Sequence, residues 1–326
     1  MPRTLPVEVQ LIVLECAIAS LDAHTFEFRQ SSLNSFSLVH RNWTRMAQQE
    51  LFQTLSLDLT RWVDPVDEVK TRLDIAERHG IVVRSLKLSS LPTSRDRELM
   101  ENEAYKKLAP ELQQLDSLKL ELTYAPPALG FFKDLKRLHF YFRGEDAPFI
   151  LRQDNFLVAS SLTHLHVEDV MLADVPLLPH LDTLILKTRS FIHPRAAPAI
   201  PNLATLRWDI TPCSLYIDDR RSLFDTRAFS GLANLQNLEL LLGEHSKGDS
   251  VFSKLSDPSL SLPLLSSLTF YLAESVLVDE CVEHALKAWC EAGQISLNLI
   301  PDFNLTNPVD PFLIPHAHNY RKPVQS

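Results

Sequence analysis

Between residues 181 and 187 the chain runs Leu181-Asp182-Thr183-Leu184-Ile185-Leu186-Lys187, with leucine at its first, fourth and sixth places. On an extended strand Leu184 and Leu186, two residues apart, share one face, and Leu181 lies on the approach to it. The same spacing recurs toward the N-terminus as Leu162, Leu165, Val167; Leu135, Leu138, Phe140; Leu115, Leu118, Leu120; Val83, Leu86, Leu88; and Phe52, Leu55, Leu57. Toward the C-terminus it recurs as Leu203, Leu206, Trp208; Leu235, Leu238, Leu240; and Leu265, Leu268, Phe270, with a degenerate tenth copy in Ala292, Ile295, Leu297. One such unit cannot bury its own apolar face, whereas stacked neighbours bury it jointly.

The middle residues of successive copies are 19 to 32 positions apart, and a period of roughly 20–29 residues is that of leucine-rich repeats. Residues 51–300 are therefore expected to form an irregular leucine-rich-repeat solenoid of the α/β class. Parallel strands would lie on its concave face, with helices and loops on the convex face. The Asn that usually closes the pattern is absent: Glu121-Leu122-Thr123 follows Leu120, and Lys187-Thr188-Arg189 follows Leu186. Helical spacing predicts connecting helices over 64–79, 97–112 and 279–292, the last with Gly293 at its C-cap. Residues 301–326 contain five Pro and lose the pattern, so a partly disordered tail is expected there.

Composition narrows the function. The chain is 45% hydrophobic with 22% charged residues and carries a formal net charge of −9. An acidic chain lacks the basic footprint of a nucleic-acid binder, so no nucleic-acid partner is expected. No apolar run is long enough for a membrane span, and Glu8 and Glu15 interrupt the apolar segment that could pass for a secretory signal. Cys16, Cys213, Cys281 and Cys290 form no CxxC pair and no disulfide framework. An intracellular protein, cytoplasmic or nuclear and not secreted, is expected. Only 7 Gly are present, without a phosphate-binding loop, a GxSxG or an HExxH. No enzyme activity and no cofactor are expected.

The positions flanking each middle leucine would face the concave side, where repeat arrays bind partners. The candidate partner-binding residues are Lys87, Lys119, Arg137, His139, His164, His166, Lys187 and Arg207. Their cations suit an acidic or phosphorylated segment of an otherwise unknown protein substrate; a merely solvated strand face is the alternative. His164, His166 and Glu168 alternate on one strand and could present three ligands on one face. No fourth ligand is suggested nearby, and no metal site is expected.

Residues 1–50 differ in character. Leu5-Pro6-Val7-Glu8-Val9 opens a helix, with Pro near its first turn and Val9, Ile12, Val13, Cys16 and Ala17 along one face. A polar stretch from Asp22 to Ser32 shows no clear helix, and a second helix runs through Leu33, Phe36, Leu38, Val39, Trp43 and Met46. The opening Leu-Pro-x-Glu-Val, followed by Phe36-Ser37-Leu38-Val39-His40-Arg41-Asn42-Trp43, resembles the F-box. Met46-Ala47-Gln48-Gln49-Glu50-Leu51-Phe52-Gln53-Thr54-Leu55 resembles the F-box-to-repeat junction of fungal proteins of this type. The resemblance implies a small helical bundle that docks the Skp-type adaptor of a cullin–RING ubiquitin ligase. Leu5, Pro6, Val9, Leu38, Val39 and Trp43 occupy the motif positions. Two departures stand out: a long stretch around Thr25-Phe26-Glu27-Phe28-Arg29, and His40 where the family has Cys. The expected function is substrate recognition within an SCF-type ligase. The alternative is an interaction scaffold whose N-terminal helices only cap the array.

Overall fold

The computed structural model describes residues 6–21, 26–39, 41–58, 65–78, 80, 82–89, 115–122, 134–142, 149–152, 161–187, 190–210, 226–243, 248–257, 260–273, 276 and 278–301. Helices α1 (Val7–Leu21), α2 (Phe26–Val39) and α3 (Arg41–Phe52) come first, then β1 (Thr54–Asp58), α4 (Pro65–Arg78) and β2 (Ser85–Ser89). Next are β3 (Ser117–Leu122), β4 (Arg137–Phe142), β5 (Phe149–Arg152), β6 (His164–Glu168), β7 (Val170–Asp174), β8 (Thr183–Lys187) and β9 (Phe191–Ile192). The chain continues through β10 (Thr205–Asp209), β11 (Asn237–Leu242), the helix Gly248–Leu255, β12 (Ser267–Leu272), the helix Glu280–Ala292 and β13 (Ser296–Ile300).

Ten strands form one sheet in the order β1-β2-β3-β4-β6-β8-β10-β11-β12-β13, every neighbouring pair parallel. The register aligns one leucine per strand: Leu55, Leu86, Leu118, Leu138, Leu165, Leu184, Leu206, Leu238, Leu268 and Leu297. A second apolar row two residues on includes Phe140, Val167, Leu186, Trp208 and Phe270, all buried.

At the entry to β2, β3, β4, β6, β8, β10, β11 and β12 one carbonyl of the preceding unit accepts two successive N–H groups. Asp116 O takes Lys136 N at 3.0 Å and Arg137 N at 2.9 Å; Thr163 O takes Asp182 N at 2.9 Å and Thr183 N at 3.0 Å; Ala204 O takes Gln236 N at 2.8 Å and Asn237 N at 2.9 Å. A one-residue slip would break this lock and turn every leucine outward. Two asparagines add to it. The Asn202 side-chain N–H₂ donates to Pro179 O at 2.7 Å, and that of Asn234 to Pro201 O at 2.9 Å. They precede the strands, so the Asn expected after the strand has its counterpart on the other side.

The expected architecture, an F-box-like helical segment followed by a leucine-rich-repeat solenoid backed by helices and loops, is not the one the chain adopts. The molecule is α/β, with one large parallel sheet of short strands, few helices, and a second parallel sheet of three strands in the order β5-β7-β9. The reason is length and local chemistry. From Leu165 to Leu184 there are only 19 positions, too few for a strand, two turns and a helix of ordinary length. The chain turns at Asp169, whose φ is 58°, and β7 begins at once with alternating burial. Elsewhere the connections do hold helix. The predicted helix over 64–79 is α4, and that over 279–292 is Glu280–Ala292, whose N-cap Asp279 accepts from Cys281 N at 2.8 Å. The helix predicted over 97–112, and the tail after 301, lie outside the described residues.

The N-terminal region also departs from expectation. Three helices are present. Phe26–Val39 includes much of the stretch read as lacking helix, and the expected second helix is divided between α2 and α3. Their core is separate from that of the sheet: Leu14 and Leu33 are fully buried, with Phe36, Trp43, Met46 and Leu51 packed around them. Among the described residues no helix is long and apolar enough to cross a membrane.

Candidate functional site

All eight candidate partner-binding residues sit at alternate positions between the buried leucines, on the face of the large sheet opposite its core. They fall in three rows. Arg137 and His164 are paired in the first. The second runs Lys87, Lys119, His139, His166, Ile185, Arg207, Glu239, Thr269 and Asn298. Glu121, Tyr141, Glu168 and Lys187 share the third.

Parallel neighbours about 4.8 Å apart bring these side chains within reach of one another, and the cations find acids. Lys87 Nζ and Lys119 Nζ both lie 3.3 Å from Glu121 Oε1. Arg207 Nε lies 3.3 Å from Glu239 Oε2. Burial alone would raise the Glu121 carboxyl, but Lys119 and Lys87 outweigh it and hold the group below the usual carboxylate range. Lys187 is pushed down by burial, against the pull of Glu168 and Asp209. At Lys87, Lys119, Lys187 and Arg207 the open face thus matches cation with acid. That arrangement does not favour the expected acidic or phosphorylated segment, which would have to displace Glu121 and Glu239 first.

The densest cluster lies on β4 and β6. The imidazoles of His139 and His166 stack with centroids 3.8 Å apart and planes 8° from parallel. The Nε2 of His139 donates to Glu168 Oε1 at 2.9 Å. The Nε2 of His166 lies 3.2 Å from the same oxygen, yet it is buried and makes no aligned hydrogen bond. Burial lowers both imidazoles, His166 to about 3. Burial pushes Glu168 up, but its contacts with the two histidines prevail and keep it ionised. The set is therefore two neutral imidazoles around one carboxylate. His164, expected to share a face with His166 and Glu168, is exposed one row away, its Nδ1 2.9 Å from Thr163 Oγ1. Its place is taken by His139 from the neighbouring strand.

The candidate adaptor-binding residues lie apart from this face. Pro6 is exposed, and exposure is 39% for Val9, 87% for Leu38 and 64% for Val39. Ile12 and Val13 are exposed beside Val9, on the helix face expected from their spacing. Trp43 is internal, edge-on to Phe36 at 6.1 Å. Leu5 lies outside the described residues. None of the described ones belongs to the core of the large sheet.

No model of a known protein family matches the chain, and comparison with curated proteins returns no match.

Proposed function

We propose that this protein is the substrate-recognition subunit of an SCF-type cullin–RING ubiquitin ligase. Its N-terminal helices dock the Skp-type adaptor, and the polar face of its large sheet binds a protein substrate. The observation that carries the reading is the outward apolar set Val9, Ile12, Val13, Leu38 and Val39, on a helical unit with its own core. A cap would turn these residues into the sheet, whereas a docking unit leaves them exposed for a partner. The resemblance of residues 5–55 to an F-box and its junction names the partner. The protein performs no chemistry itself; its contribution is proximity, holding a substrate lysine near a conjugating enzyme.

Co-expression with a Skp-type adaptor tests this. Wild-type protein should co-purify with the adaptor. A Val9→Glu, Leu38→Glu double variant should lose it while keeping its circular dichroism, since both side chains are exposed. Folded wild-type protein that fails to bind would leave an interaction scaffold and end the ligase reading.

A further inference from the structure

We propose that His139, His166 and Glu168 form a binding site for a divalent transition-metal ion of the Zn²⁺ type, on the polar face of the large sheet. The inference does not depend on the ligase reading.

The donor set is two imidazoles and a carboxylate, a combination that suits Zn²⁺ and its neighbours and leaves a coordination position open. The spacing fits. Tetrahedral coordination at about 2.0–2.1 Å places donor atoms roughly 3.3 Å apart. Here the two Nε2 atoms lie 2.9 and 3.2 Å from Glu168 Oε1, and all three donors are within 4.8 Å of one another. The donors stand on adjacent strands in fixed register, His139 opposite His166, and need only small side-chain rotations to converge.

A second observation points the same way. A buried polar atom without an aligned partner costs about 1–3 kcal/mol, and the Nε2 of His166 is such an atom. A cation between the three donors would accept its lone pair. Coordination through Nε2 uses each imidazole in its Nδ1–H tautomer, so the proton that His139 Nε2 shares with Glu168 passes to Nδ1. Glu168 supplies the one negative charge. The nearby cations are Lys119, which lies 3.3 Å from Glu121, and Lys187, which also faces Asp209. The fourth position points away from the core and is left to water or to a donor from a bound protein.

The test is calorimetric titration of the full chain with Zn²⁺ after alkylation of its cysteines, with Co²⁺ as a spectroscopic probe. One ion per chain is expected, with a ligand-field spectrum free of sulfur-to-metal charge transfer. His166→Ala and Glu168→Gln should each weaken binding by at least about tenfold. Glu168→Gln preserves volume and is the control should the histidine variant fail to fold. Absence of binding by wild type overturns the proposal. So does binding that the variants leave unchanged, because that ion lies elsewhere on the chain.

Discussion

At the scale of single residues, two buried polar groups connect sequence positions that are far apart. Glu121 is only 7% exposed, and it serves Lys87 and Lys119 from two different strands. Its carboxyl titrates lower in the folded chain than in the unfolded one, so it binds fewer protons when folded. The stability it contributes is complete above the unfolded carboxyl value, about 4.3, and is lost as pH falls through the lower folded value. Glu121→Gln should therefore cost about 1–3 kcal/mol at neutral pH, with the difference from wild type vanishing in acid; urea melts across pH measure it. Ser190 is the other such residue. Its hydroxyl donates to Val167 O at 3.2 Å and accepts Val170 N at 3.0 Å, while its carbonyl accepts Trp208 Nε1 at 3.0 Å. Ser190→Ala leaves the Val170 N–H without that acceptor, and thermal melting should register a loss of about 1–3 kcal/mol. Nothing in the sequence marks Ser190, because its partners are set by the turn at Asp169. Trp208 was legible only as an apolar repeat position; its indole bond was not.

At the scale of elements, the strands were legible and the layer behind them was not. Leucine spacing located the strands of the large sheet because β3, β4, β6, β8, β10, β11 and β12 each bury two side chains two residues apart; the degenerate tenth copy, centred on Ile295, is displaced by two, since Leu297 pairs with Leu268. The second sheet escaped because β5, β7 and β9 are two to five residues long, too short for a period to stand out. The close approach of two 3₁₀ turns, Ala197–Ala199 and Thr226–Gly231, escaped too. A Cβ at Gly231 would sit 2.9 Å from Ala197 Cβ and 3.0 Å from the Ala197 carbonyl carbon. Gly231→Ala should thus destabilise by about 1–3 kcal/mol through overpacking, visible as a lower denaturation midpoint. The histidine cluster was half legible. His166 and Glu168 share a strand, but His139 joins them only through the pairing of β4 with β6. The matched charges were hidden for the same reason: alternation placed Lys87, Lys119 and Glu121 on one face, and register alone paired them.

At the scale of the whole molecule, two bodies of unequal cohesion follow one another along the chain. The sheet carries a continuous core from Ala76 to Cys290. Among the described side chains of the N-terminal helices, Leu14 and Leu33 are the large apolar ones fully buried, while Val9, Ile12, Val13, Leu38 and Val39 turn outward. Regions with few buried apolar contacts open at lower free energy than a packed core, so α1 and α2 should be the less protected part of the free protein. On the proposed function, this division assigns one partner to the helices and another to the polar face of the sheet. The most direct measurement is hydrogen exchange followed by mass spectrometry, on the chain alone and with a Skp-type adaptor. Fast exchange is expected in α1 and α2, slowing when the adaptor is added, while β2 to β12 stay unchanged. Protection confined to the sheet, or none anywhere at saturating adaptor, would contradict it.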